Sequence, residues 1–205
     1  MFEEIIYDLE TQKQFEDIIS GNPADLGVSV VCLYKRKINA NFKEIEGKMY
    51  TFWLQDLANI WPIFTNVDRI IGFNSLMFDN QVLSPLCSMY DFTKLNHFDI
   101  MAHIKKALGH RLSLNAIASE TLGIGKTDVG TNAVLYWQKG DPQSLSKLAS
   151  YCQADVQVTK KVYDYGLNNG FLKYKDKWNT SRLVNVDFSY PPKSVDANLN
   201  QISLF

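Results

Sequence analysis

Ile5-Ile6-Tyr7-Asp8-Leu9-Glu10-Thr11 decides how the rest of this 205-residue chain is read. Two apolar residues lead into an Asp and a Glu two positions apart. Along a strand, side chains at i and i+2 share a face. Asp8 and Glu10 therefore project side by side, and Leu9 points the other way into a core. Two carboxylates held that close repel, and a fold keeps them together when something cationic offsets the repulsion. A solvated acidic edge strand would carry the same residues, so the reading turns on where the other carboxylates fall.

Working outward, residues 27–34 and 49–54 read as two further strands, and short connections join all three into an antiparallel meander. Lys35-Arg36-Lys37 is expected in a turn. A helix is expected over Leu57, Ile60, Ile63 and Phe64, with Pro62 awkwardly inside it or ending it. Residues 69–74 read as a buried strand, 80–89 as a helix and 97–100 as a fifth strand. Helices follow over 100–108, 112–122, 131–138 and 142–165, then a hairpin of strands near 171–177 and 183–188. A meander followed by strand–helix alternation points to an α/β fold: a mixed five-stranded sheet, antiparallel then parallel, with helices on both faces. The expected organisation is one domain over 1–188 and a flexible polar tail over 189–205, opened by Pro191-Pro192.

Composition agrees with a globular domain, at 46% hydrophobic and 13% aromatic residues. The formal net charge of -1 argues against a protein that coats duplex nucleic acid nonspecifically. It says less about an enzyme whose metal ions supply positive charge locally. Cys32, Cys87 and Cys152 are far apart and form no C-x-x-C, and His97, His103 and His110 lack zinc-finger spacing, which disfavours disulfides and zinc. No apolar run reaches membrane-span length, and a cytoplasmic location is expected.

Two later stretches carry acids in telling places. In Ile71-Gly72-Phe73-Asn74-Ser75-Leu76-Met77-Phe78-Asp79, a buried strand delivers Asn74, and Asp79 stands where a helix begins. Functional side chains gather at such strand ends, although a helix-capping Asp would look the same. In Tyr151-Cys152-Gln153-Ala154-Asp155, inside the long helix, Tyr151 and Asp155 stack on one face at i and i+4. An Asp on a face that packs toward a sheet is costly unless paired or bound to metal.

Together these stretches resemble the DEDD superfamily of 3′–5′ exonucleases in its Tyr-bearing subgroup. Its three motifs are a strand D-x-E, an N-x(2–3)-(F/Y)-D and a helical Y-x(3)-D. They match Asp8-Leu9-Glu10, Asn74…Phe78-Asp79 and Tyr151…Asp155 in order. The proofreading domains of family B DNA polymerases are closest in flavour, and Leu114-Asn115-Ala116-Ile117-Ala118, Leu122-Gly123 and Lys126 look like that branch's segment between the last two motifs. The resemblance covers roughly residues 3–165. It implies an RNase H-like fold and two-metal phosphodiester hydrolysis at DNA 3′ ends or on single-stranded DNA, in repair or replication. Asp8 would bridge both ions, Glu10 and Asp155 would hold one, and Asp79 the other. Tyr151 would orient the attacking water. Asn74 and Phe78 are expected to touch substrate, Phe78 by packing on a base or sugar. Hard carboxylate oxygens without His or Cys favour Mg²⁺ or Mn²⁺. An RNA 3′-end-trimming exonuclease and a non-catalytic nucleic-acid-binding module on the same fold remain the alternatives. Lys105, Lys106, His110 and Arg111 are the expected phosphate-facing patch.

The chain ends Gln201-Ile202-Ser203-Leu204-Phe205, which resembles the bacterial sliding-clamp-binding peptide Gln-Leu-(Ser/Asp)-Leu-Phe with Ile202 for the usual Leu. The resemblance implies clamp binding through a Gln amide and apolar anchors. A terminal peptide packed back onto its own domain would read alike.

Overall fold

β1 (Phe2–Thr11) is the central strand of a five-stranded sheet in the computed structural model, which describes residues 1–124 and 131–190. β2 (Val28–Ile38) pairs antiparallel with it, and β3 (Glu44–Trp53) pairs antiparallel with β2. After α1 (Trp61–Thr65), β4 (Arg69–Gly72) returns to the other side of β1, parallel to it. α2 (Asp79–Leu83) leads on to β5 (His97–Asp99), parallel to β4. The strand order is β3-β2-β1-β4-β5, the expected mixed α/β sheet. There follow α3 (Ile100–Leu108), α4 (Leu114–Leu122), α5 (Thr131–Lys139) and α6 (Pro142–Asn169), then the hairpin β6 (Phe171–Lys175) and β7 (Ser181–Asn185).

The pleat of β1 sorts its side chains between two cores. Ile6 packs into the core under α3–α6, which includes Ile104, Ile117, Leu148, Cys152 and Val156. Ile5, Tyr7 and Leu9 pack into the other, with Trp61, Phe64, Val82 and Phe92. Helices thus cover both faces. By the same alternation Asp8 and Glu10 face α6. α6 is well terminated: the Asp141 carboxylate accepts from the amides of Gln143 and Ser144 at 3.0 and 2.9 Å. Gly170, in left-handed conformation at φ +75°, ends it four residues beyond the expected stop.

Three local expectations are corrected. Lys35-Arg36-Lys37 continues β2 and makes no turn. Arg36 is 2% exposed, with Nε 2.7 Å from Glu4 and Nη1 2.7 Å from Asp164. Lys35 and Lys37 point to the opposite face and pair with Glu3 and Glu46. Pro62 lies in the first turn of α1, where its missing N–H costs no hydrogen bond, behind a 3-10 segment Leu54–Asn59. The helix expected over 80–89 ends as α2 at Leu83 and passes into a 3-10 turn, Ser84–Leu86, around Pro85.

The chain is held to the domain as far as Tyr190. Arg69, buried, donates from Nη1 to the Phe188 carbonyl at 2.8 Å and from Nη2 to that of Ser189, and the Tyr190 hydroxyl bonds Glu4. Lys126 and the whole Gln201–Phe205 peptide lie outside the described residues. Among the described residues, no helix is long and apolar enough to cross a membrane.

Candidate active site

β1 delivers Asp8 and Glu10 near its C-terminal end, and α6 lies across it, with the Cys152 thiol 3.5 Å from the Asp8 carbonyl. That contact sets the helix height. Asp155, three residues on, then reaches the strand: single oxygens of Asp8, Glu10 and Asp155 all lie within 4.8 Å of one another. Each of the three is half-buried.

Asp79 arrives from the other side by way of a tight turn after β4. Gly72 is needed there, because a Cβ on it would stand 2.4 Å from Ser75 Oγ. Asn74 takes a left-handed conformation at φ +65°, which Asn tolerates better than most residues. The turn is clamped by Asp99, buried at the end of β5, whose carboxylate accepts from the amides of Asn74 at 2.8 Å and Leu76 at 3.0 Å. Asp99 also caps α3 through the Ala102 amide at 3.1 Å, so it serves both the capping and the supporting role. The Tyr7 hydroxyl donates to Asn80 Oδ1, which pins the start of α2 on β1.

Asp79 is outside the 4.8 Å trio but electrostatically part of it. Burial pushes the Asp8 carboxyl well up, and Asp79 is the largest charged contributor, ahead of Glu10 and Asp155. Burial, then Asp155 and Asp79, push Glu10 up to about 8. Burial raises Asp79 to about 7, while the backbone amides of Asp79 and Leu9 pull it the other way. Asp155 is raised by burial and lowered in part by a hydrogen bond from Tyr151. The Tyr151 hydroxyl is itself raised, by burial and then by Asp155 and Glu10.

None of the four carboxylates joins any ion pair among the described residues. The arrangement is therefore a concentration of negative charge with an oxygen-only donor set and no described protein cation to offset it. Hard divalent ions suit such a set. The residues present thus fit a divalent-metal site.

Of the two residues expected at substrate, Phe78 lines a hollow of about 350 Å³ together with Glu10, Phe15, Lys13 and Val134. Its ring tilts against that of Phe15 at 6.1 Å. Asn74 Oδ1 is buried with no hydrogen-bond partner among the described residues. Phe15 and Lys13 escaped the sequence reading. Both follow the D-x-E strand within five residues, but neither fits a periodic pattern. Lys105 and Lys106 are exposed in the last turn of α3. That helix starts at Asp99 and spans roughly 13 Å over its nine residues. Lys105 and Lys106 thus stand at the opposite end of α3 from Asp99.

Comparison with known proteins adds four findings. No curated protein matches the sequence. The family B DNA polymerase of the hyperthermophilic archaeon Pyrobaculum calidifontis has a similar fold, with a TM-score of 0.60 at 17% identity over 82% of this chain. This chain spans 25% of that polymerase. The zinc-bound complex of E. coli ExoI with single-stranded DNA matches at a TM-score of 0.48 and 16% identity, over 82% of this chain and 41% of that one. The sequence profile of the RNase H superfamily matches residues 6–166, a span that starts inside β1 and ends in α6 and so contains all four carboxylates, and the chain belongs to that superfamily.

Proposed function

We propose that this protein is a metal-dependent 3′–5′ exonuclease of the Tyr-bearing DEDD type, acting on DNA 3′ ends or single strands in repair or replication. The observation that carries the reading is the meeting of Asp8, Glu10 and Asp155 within 4.8 Å, with Asp79 beside them and no described cation to balance them. In this assignment Asp8 would serve both ions, Glu10 and Asp155 would help hold one, and Asp79 would help hold the other. Bound there, Mg²⁺ or Mn²⁺ supplies Lewis acidity and an activated water for phosphodiester hydrolysis.

The chain's own groups do the rest. Tyr151, held on Asp155, orients the attacking water. Its hydroxyl is pushed above the ordinary phenol value of about 10, so it is a poor general base near neutrality. Phe78 and Phe15 offer an aromatic pair to the terminal nucleotide, and stacking of that kind tolerates any base. Asn74 presents an amide oxygen that lacks a described protein partner. For the Gln201–Phe205 peptide we propose clamp binding, on the sequence resemblance alone.

The test is degradation of 5′-labelled oligonucleotides, DNA and RNA in parallel, with Mn²⁺, Mg²⁺ or EDTA. A ladder shortening from the 3′ end only with metal is expected, faster on DNA. Faster shortening of RNA would transfer the reading to RNA trimming. Binding without any metal-dependent cleavage would leave a non-catalytic module.

A further inference from the structure

A second hollow, of about 590 Å³, opens where the end of β3 meets the corner between α5 and α6, lined by Gln12, Lys13, Trp53, Gln55, Trp137 and Leu145. Trp53 lies in the same cross-sheet row as Glu10, through Val30. Two strand spacings, roughly 10 Å, separate them on the carboxylate-bearing face. α5 lays Trp137 against Trp53 with the rings nearly parallel, at 18° and 6.5 Å between centroids. Both indoles are half-buried, so part of each still faces the hollow.

Lys13 borders this hollow and also the one that holds Glu10, Phe15 and Phe78. The ridge carrying it is fixed: Lys13 N–H donates to the Leu26 carbonyl at 3.2 Å, and Gln12 donates from Nε2 to the Val28 carbonyl at 2.8 Å. Lys13 is exposed and joins no ion pair among the described residues. Without bound metal the carboxylate cluster offers the phosphates of an approaching strand no cation. In that state uncharged contacts and a cation placed off the cluster carry the attachment of the strand.

We propose that the Trp53–Trp137 hollow is a second nucleotide subsite. It stacks bases of a single strand just upstream of the terminal nucleotide, and Lys13 takes the phosphate that passes between the two hollows. Aromatic platforms bind bases without regard to sequence. The glutamines around the rim, Gln12 and Gln55, offer amide contacts to base edges. The proposal rests on the nuclease reading.

The test uses the full chain in EDTA, which keeps the probe intact, with fluorescence anisotropy of labelled DNA of two and eight nucleotides. Wild type should bind the eight-mer more tightly. Trp137→Ala should weaken the eight-mer about tenfold or more and the two-mer much less, and Trp137→Phe should recover most of the loss. Lys13→Gln, at an exposed position, should reduce the slope of log affinity against log salt by about 0.7. Equal losses on both lengths in Trp137→Ala, or no loss, would overturn the subsite, as would an unchanged salt slope in Lys13→Gln if Trp137→Ala fails to fold. Hydrolysis of the same eight-mer by wild type in Mn²⁺, recorded alongside, separates the two readings. Cleavage with these negative results sinks only the subsite, whereas length-dependent, Trp137-dependent binding without cleavage sinks only the nuclease reading.

Discussion

Replacing Asp155 by asparagine should stabilise the metal-free protein at alkaline pH and blunt its response to divalent ions. Oxygens of Asp8, Glu10 and Asp155 lie within 4.8 Å. At an effective dielectric of about 20, each fully charged pair at that distance costs about 3 kcal/mol. The folded protein escapes part of this by keeping protons, and Glu10 is accordingly held at about 8 instead of 4.5. Because the folded-state value is the higher one, the folded state binds more protons than the unfolded chain between those limits. Stability from this group is complete below about pH 4.5 and is lost as pH rises through 8. The amide introduced by Asp155→Asn would keep an acceptor for the Tyr151 hydroxyl and remove the charge, relieving Glu10 and Asp8 where they ionise. The expected gain is on the order of 1–3 kcal/mol at alkaline pH, or roughly 2–10 °C in melting temperature, and little in mild acid. Mn²⁺ at about a hundred times its dissociation constant should stabilise wild type by about 2.7 kcal/mol. The variant, with one ligand charge removed, should gain clearly less. Scanning calorimetry from mildly acidic to alkaline buffer, in EDTA and in Mn²⁺, reads all of this. A lower melting temperature for the variant in alkaline EDTA, or an equal Mn²⁺ shift in both proteins, would refute the reasoning.

Asp8→Ala should lose at least about 10³-fold in hydrolysis rate, about 4 kcal/mol of barrier, whereas Tyr151→Phe should be milder; initial rates on one oligonucleotide compare them. Arg36→Ala should cost about 3–5 kcal/mol in denaturant melts, because it leaves Glu4, 0% exposed, as an uncompensated buried charge, while the rate per folded molecule holds. Gly72→Ala should cost about 1–3 kcal/mol, since its Cβ meets Ser75 Oγ at 2.4 Å, and should lower activity through the turn that carries Asn74 and Asp79. Deleting residues 191–205 should leave oligonucleotide hydrolysis intact and abolish binding to a bacterial sliding clamp in a titration. Tyr190, where the described chain ends, is fixed on Glu4 near the start of β1, away from the carboxylates.

Much of the sheet and the acid pattern could be read in one dimension, and the reason is periodicity. A two-residue repeat put Asp8 and Glu10 on one face and Leu9 on the other, and a four-residue repeat stacked Tyr151 on Asp155. Alternating strand and helix signals likewise implied the mixed sheet that the fold adopts. Pro85 lies inside the 80–89 segment, and its missing N–H is what shortens α2.

Other features depend on partners far away along the chain, and no local pattern encodes them. Lys35-Arg36-Lys37 looks like a charged turn until Glu4 and Asp164 are brought to Arg36, when burying a guanidinium in a strand becomes tolerable. Asp99 became the clamp of the 74–76 turn because β5 ends beside β4. Lys13, Phe15, Trp53 and Trp137 share no motif, yet they line two adjoining hollows, one of which holds Glu10, once β3 and α5 close around the end of β1. The raised proton affinities of Asp8, Glu10 and Asp79 are likewise a property of the assembled site. Desolvation and mutual repulsion arise only when packing removes water and brings like charges within a few ångströms.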